Sequence, residues 1–374
     1  MDLNPVIIAI PVFFGLMSIE LIFEFITKKR TYRLNDAITN INLGVLNQVT
    51  NVFNKIITVG IFTFIFEHFA LTQLPSNWVT FILLFILYDF CFYWSHRMAH
   101  EISLFWGGHV VHHQSEDFNL SVALRQSSTA FIWSTPFYLP LALMGFDPVQ
   151  FVMIGGFNLL YQFWIHTEHI GKLGWFEYIM NTPSHHRVHH GRDPKYIDKN
   201  YAGVFIIWDR MFGTFKEEEE TPTYGITKPV NSWNPVYVNF AHYIDLYQYV
   251  KQSRSWDDTK KMLFKHPGWL PEYLGGEQKP QSPEKSPFHK YNADLSFMWA
   301  KVYLFAQFII AMMLTAYFLF NLSDFDLTTK LTFVIWIVLS TYMFGLLFET
   351  RKTWVTLLEV ARIAALPVGY VLLF

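Results

Sequence analysis

Apolar positions in this chain come in long unbroken runs, near residues 5 to 26, 78 to 95, 128 to 145, 148 to 166, 298 to 321, 328 to 349 and 353 to 374. Each is close to the length of about 17 to 25 residues that a helix needs to cross a bilayer. In lipid a single segment satisfies all its backbone groups only as a helix. The pattern therefore predicts an all-α, polytopic integral membrane protein. A further helix near 43 to 69 is less plainly marked, because Asn47, Gln48, Asn51, Asn54 and Lys55 crowd its first half.

Composition agrees, with 52% hydrophobic and 19% aromatic residues and a positive mean hydropathy. The balance of 28 basic and 30 acidic residues gives no electrostatic case for nucleic acid. A single cysteine, Cys91, excludes an intramolecular disulfide and a thiolate-rich metal site. The first apolar run has no basic residue before it and Lys28, Lys29, Arg30 and Arg33 after it, the reverse of a secretory leader, so it is expected to be a retained anchor. With the N-terminus outside, these residues fall on one side together with Arg97, Arg125, Arg351 and Lys352. The stretch 170 to 295, which holds 16 of the 28 Lys and Arg, joins them. By the positive-inside rule that side is cytosolic, in a bacterial inner membrane or the endoplasmic reticulum. Three blocks are expected: a membrane-embedded catalytic region over 1–216, a cytosolic connector over 217–297 that begins with the acidic run at Glu217 to Glu220, and C-terminal membrane helices over 298–374.

Chemistry enters with the histidines. Eleven of the 15 lie in four short words: "HRMAH" (His96, His100), "HVVHH" (His109, His112, His113), "HTEH" (His166, His169) and "HHRVHH" (His185, His186, His189, His190). Positions i, i+3 and i+4 share one face of a helix. The first, second and fourth words are therefore each expected to present their imidazoles to one side. His68, His242, His266 and His289 stand alone and read as ordinary surface or packing residues. Imidazoles crowded together without a metal would be unpaired or mutually repelling in a partly buried place, which argues against a merely pH-sensitive patch. A structural zinc takes about four ligands, so eight or more nitrogens imply two metals.

Carboxylates lie near the histidine words. Asp89 shares a helical stripe with Tyr93, His96 and His100, and Glu101, Glu116, Asp117, Glu168 and Asp209 are close in sequence. All are candidates to receive the second N–H of a metal-bound imidazole. The plainer reading pairs them with Arg97, Arg187 and Arg192 as salt bridges. Asp89 and Glu168 are expected to take part in catalysis. Glu359 and Arg362, three apart in the last apolar run, are expected to pair with each other.

These words resemble the fatty acid hydroxylase or sterol desaturase superfamily, whose pattern is H-x3-4-H, then H-x2-3-HH, then (H/Q)-x2-3-HH. "HRMAH", "HVVHH" and "HRVHH" match it in order, within roughly residues 80 to 216. The similarity is carried by "WSHRMAHEISLFWGGHVVHHQSEDFNLSVALRQS", "YQFWIHTEHIGKLG" and "NTPSHHRVHHGRDPKYIDKNYAGVFIIWDRMFGTF". The first 70 and last 80 residues resemble the superfamily only in being apolar. The resemblance is to members that act on ether lipids. It implies an O2-using, tetrahydropterin-dependent enzyme with two non-haem irons that hydroxylates the ether-bearing carbon of an alkylglycerol, giving a fatty aldehyde and a glycerol derivative. The superfamily pattern carries over to His96, His100, His109, His112, His113, His186, His189 and His190 as metal ligands, with His166 where relatives have a further candidate. His169 and His185 are extra to it. A pterin would then sit at the cytosolic mouth, where Trp164, Trp175 or Trp208 could stack on it, although such aromatics also serve simply as interface anchors. Two other classes stay open: a sterol or fatty-acyl hydroxylase or desaturase fed by a protein electron donor, and a membrane metal transporter or sensor. Against the latter, the histidines gather at helix ends, whereas a transport path places polar ligands near the bilayer midplane.

Overall fold

The computed structural model of the chain describes residues 5 to 285, 289 to 292, 297 to 350 and 352 to 373; Arg351 and Phe374 lie outside the described residues. The described residues are all-helical, and their only β-type pairings are isolated bridges. Five helices are long and apolar enough to cross a membrane: α1 (Pro5–Thr27), α2 (Leu34–Phe69), α3 (Trp78–Glu101), α12 (Met298–Phe320) and α13 (Leu327–Glu349). The chain is thus a multi-pass membrane protein. Between them come α4 (Ser103–Trp106), α5 (Val110–His113), α6 (Ala130–Leu143), α7 (Pro148–Trp164), α8 (Pro183–His189), α9 (Ile207–Phe212), α10 (Pro235–Lys251) and α11 (Trp256–Phe264), and α14 (Thr353–Leu373) ends the chain.

Two of the apolar runs come out shorter than a span. α6 and α7 have 14 and 17 residues, which at 1.5 Å per residue reach about 21 and 25 Å against a hydrocarbon core of about 30 Å. They form a hairpin whose tip is fastened to the α2–α3 loop: Leu71 N donates to Leu143 O at 2.8 Å and Leu74 N to Gly145 O at 3.0 Å. Gly145 has a positive φ of 86°, and a Cβ there would stand 1.8 Å from Thr72 O, so the tip tolerates no side chain.

The polar first half of α2 has the opposite outcome. It is one continuous helix of 36 residues, and its amides are used by the protein and not left to lipid. Asn47 Nδ2 donates to Ser127 O at 2.7 Å, and Asn51 Nδ2 to Asn47 Oδ1 at 2.9 Å. α2 is the spine of the molecule. Near its middle, Val45 and Val49 pack against Phe318, Leu319, Phe333 and Ile337 of α12 and α13. Near its end, Phe62 packs with Leu84 of α3, Tyr138 and Leu141 of α6 and Ile154 of α7. Such contacts between membrane helices rest on van der Waals fit, since lipid tails are as apolar as the side chains.

The loops sort onto two sides. Turns 70–77, 144–147 and 321–326 lie on one side, and Asn77, Asp147 and Asp326 cap the helices that leave them. On the other side the chain is tied by charge. Arg33 meets Asp117 at 2.6 Å, Lys29 meets Glu168 at 3.0 Å, and Lys285 meets Glu220 at 3.1 Å. The acidic run that opens the connector folds back onto the site: Arg187 of α8 grips both oxygens of Glu218, at 2.7 and 2.6 Å.

α14 is held by a buried ion pair. Arg362 Nε and Nη2 donate to the two oxygens of Glu359 at 2.7 and 2.6 Å, and Nη2 also to Gln307 of α12 at 2.8 Å. Tyr303 donates to Glu359 at 2.6 Å. Arg362→Met leaves that carboxylate buried without its cation and is expected to cost about 3 to 5 kcal/mol, most of it recovered by adding Glu359→Gln. Thermal unfolding in detergent measures this, and equal melting of the single variant and the parent would contradict it. The sidedness is checked with Cys91 replaced: an impermeant maleimide should label Ser76→Cys and Ser282→Cys from opposite faces of sealed vesicles. Labelling of both from one face would contradict the topology.

Candidate metal centre

Four elements converge on the charged side of the helices. The last turns of α3 bring His96 and His100, α5 and its N-cap bring His109, His112 and His113, the residue pair after α7 ends in His166, and α8 with its C-cap brings His186, His189 and His190. All nine imidazoles meet, in two groups. His96, His100, His109, His113 and His189 form one, and His112, His166, His186 and His190 the other; within each group one ring nitrogen per residue lies within 4.8 Å of all the others.

The words do not each serve one side, as the helical spacing predicted. Adjacent residues on a helix point about 100° apart, so His112 and His113 diverge, and so do His189 and His190. Each such pair therefore straddles the two groups. The groups touch through stacked rings, His113 on His190 with centroids 4.5 Å apart and His186 on His189 at 5.2 Å. His169 and His185 belong to neither group.

Backbone carbonyls fix the tautomers. His96 Nδ1 donates to Tyr201 O at 2.7 Å, His112 Nδ1 to Arg125 O at 3.0 Å, His166 Nδ1 to Gln162 O at 2.8 Å and His189 Nδ1 to Lys199 O at 2.9 Å. Each Nε2 is then a lone pair aimed inward. His112 and His166 consequently face each other lone pair to lone pair at 3.2 Å, a contact that is repulsive without a cation between them. His100 Nε2 and His189 Nε2 are buried with no hydrogen-bond partner. Burial, reinforced by the neighbouring imidazoles, holds His109, His113, His186, His189 and His190 well below the ordinary histidine range, and burial takes His112 to about 4. They are neutral near pH 7, as metal ligands must be. An all-imidazole donor set suits iron, zinc, copper or nickel and not magnesium or calcium.

The carboxylates stand one step further back than expected. Among the described residues only Asp198, at 3.3 Å from His100 Nδ1, receives a histidine of either group. Asp89 instead accepts from Val204 N, Phe205 N, Asn158 Nδ2 and Trp208 Nε1 at 2.8 to 3.0 Å. Asp209 accepts from Tyr201 N and Ala202 N, both at 2.8 Å, and from Thr214 at 2.6 Å, while burial lifts its carboxyl to about 6. Together these two hold the 201–205 loop whose Tyr201 carbonyl orients His96. Glu168 pairs with Lys29 and Glu101 with Arg97 at 2.7 Å. Glu116 and Asp117 join Arg33.

The tryptophans are dispersed. Trp164 packs edge-on against Tyr161, Trp175 is 77% exposed, and Trp208 is committed to Asp89. Arg125, Asp198, Lys199 and Tyr201 were not singled out as site partners by sequence. Asp198 and Asn200 adopt positive φ, 58° and 56°, which Asp and Asn tolerate better than most residues, so "DKN" was the available signal of a sharp bend there.

The fatty acid hydroxylase family profile matches residues 81–214. The chain is 42% identical over 350 residues to alkylglycerol monooxygenase of Homo sapiens, an alignment covering 92% of this chain and 77% of that protein. Its identity to the Xenopus tropicalis protein of the same name is 43% over 287 residues, covering 73% and 64%. To that of Danio rerio it is 40% over 338 residues, covering 84% and 75%. Similarity thus reaches well into the first 70 and last 80 residues, beyond the region that the histidine words mark. No solved structure matches the chain.

Two separable losses of metal are expected. His100→Ala should empty the five-histidine group and His186→Ala the four-histidine group, each leaving about half of the parent's bound metal by plasma emission analysis. Asp209→Asn, which loosens only the loop behind His96, should weaken binding by roughly 10 to 100-fold. Full metal content in both alanine variants would contradict the two-group assignment.

Proposed function

This chain belongs to the alkylglycerol monooxygenase family of membrane oxidoreductases, and we propose that its own substrate is the ether lipid those relatives are named for. The reaction inserts one oxygen atom of O2 at the carbon beside the ether oxygen. The second atom leaves as water with two electrons and two protons from a tetrahydropterin, which becomes a dihydropterin. The hydroxylated lipid is a hemiacetal, and its collapse gives a fatty aldehyde and free glycerol. The observation that carries the reading is the pair of all-nitrogen groups at the ends of membrane helices, where an alkyl chain arrives without leaving lipid.

Two irons fit these groups. Five neutral nitrogens in one group and four in the other leave a six-coordinate ion with open positions. When bound, the metals supply the oxygen activation. The chain's residues do the rest. The nine imidazoles hold the ions, and the carbonyls of Gln162, Arg125, Lys199 and Tyr201 lock ring orientation. Phe92 beside His96 and Phe118 beside His166 and His190 give the centre apolar edges. No carboxylate of the described residues lies inside either group. That suits a reaction in which the carbon loses a hydrogen atom, favoured next to oxygen. Lysine and arginine asymmetry supports a centre that faces the cytosol.

Incubation of purified chain with a 1-O-alkylglycerol, O2 and tetrahydrobiopterin is expected to yield fatty aldehyde, and omission of any one should abolish it. With 18O2 and reduction of the aldehyde to alcohol as it forms, the alcohol should carry one labelled atom. Unlabelled alcohol, or turnover with ferredoxin or cytochrome b5 and none with tetrahydrobiopterin, would move the chain to a hydroxylase or desaturase fed by a protein donor.

A further inference from the structure

Beside the histidines, on the side opposite the capped turns, lies a cavity of about 520 Å³. Its floor belongs to both groups, with His100, His113 and His189 from one and His190 from the other. Its outer wall is the connector: residues 225–228, one face of α10, and the segment from Met262 to Pro280. The volume is in the range of small-molecule sites, about 300 to 1,000 Å³. The rim faces water, since Lys228 and Asp245, paired at 2.6 Å, have side chains 69% and 47% exposed.

Two features select an occupant. Arg192, two residues beyond His190, lines the cavity; its Nε is buried with no partner, its Nη1 reaches only Ile226 O at 3.4 Å, and among the described residues it forms no ion pair. A guanidinium so placed asks for an oxygen acceptor. Trp106 presents a ring to the same space and packs on His100 and His113 with centroids 4.8 and 5.4 Å apart, a stacking surface directly against the ligands. An alkyl chain leaves Arg192 without an acceptor. A flat heterocycle with a carbonyl oxygen meets the guanidinium and stacks on Trp106.

We propose that this cavity is the tetrahydropterin site, with Arg192 donating to the ring oxygen and Trp106 as the stacking wall. The proposal rests on the pterin-fed reading above. It places the reductant against both histidine groups and in contact with water, the phase from which a soluble reductant comes. Trp164, Trp175 and Trp208 do not line this space.

Anaerobic calorimetry tests it without turnover, by titration of tetrahydrobiopterin into the iron-loaded full-length chain in detergent. Arg192→Gln is expected to weaken binding roughly ten-fold or more. Thr227→Trp, at an exposed rim position where folding is not at stake, is expected to block it. Both variants should keep the parent's iron content and its affinity for a 1-O-alkylglycerol in micelles. If the parent binds pterin and both variants bind it equally well, the location is wrong while the pterin-fed reading stands. A parent that binds no pterin overturns that reading and the site with it. Variants that lose the alkylglycerol in place of the pterin assign the cavity to the lipid headgroup and overturn the proposal.

Discussion

Nine imidazoles, all buried but the half-buried His109, meet with lone pairs turned toward one another, and the rest of the architecture makes sense as the means of holding them there. His112 and His166 at 3.2 Å, both with Nδ1 already donated to a carbonyl, are the clearest instance. Two acceptors in that contact repel, so the arrangement is stable only around a cation. A metal bound there would contribute to the folding free energy of this region, and the protein scaffold must resist the repulsion in its absence.

The resistance comes from polar groups placed behind the ligands. Arg125 is buried and donates to Val111 O at 2.6 Å, Asn40 Oδ1 at 2.9 Å and Gln114 Oε1 at 3.0 Å, while its own carbonyl orients His112. It therefore ties the second histidine word to α2. Asn40 in turn meets Asp36 and Ser121, so the polar head of α2 is the anchor of the network. Asp89 and Asp209 do the same for the first word, by gripping through backbone N–H groups the 201–205 loop whose Tyr201 carbonyl orients His96. The carbonyls that fix the tautomers of His112 and His96 are thus themselves held in place by side chains elsewhere, the Arg125 guanidinium and the Asp209 carboxylate.

The histidine words were legible in sequence because ligand spacing on a short helix is local, and so were the apolar runs of α1, α3, α12 and α13. What could not be read was anything that depends on backbone groups or long-range closure. Carbonyl oxygens look alike in every residue, so the partners of His96, His112, His166 and His189 left no mark, and the carboxylates that did stand out were assigned one step too close. The sharing of the second and fourth words between two groups also escaped the periodicity argument, which treated i, i+3 and i+4 as one face although the two adjacent histidines diverge. The polar half of α2 weakened its recognition for the same reason. Its amides answer to Ser127, some 80 residues away.

The same distinction explains where the two substrates meet. In the proposed reaction the lipid comes from the bilayer and the reductant from water, which calls for a centre at the boundary, and helix ends are the positions in a membrane protein that touch both phases. α10 shows how the boundary is built. Ala241, His242, Asp245, Leu246 and Tyr249 face the cavity, whereas Tyr237, Phe240, Ile244 and Tyr247 are exposed on its other face. An outward row of aromatic and aliphatic side chains fits the interfacial zone of a bilayer, and α10 packs on the charged-side ends of α2 and α13. One helix thereby stands between that outward row and the cavity beside the histidines. On the proposed reading, a hydrogen-bonding reductant reaches the histidines through that cavity without crossing hydrocarbon.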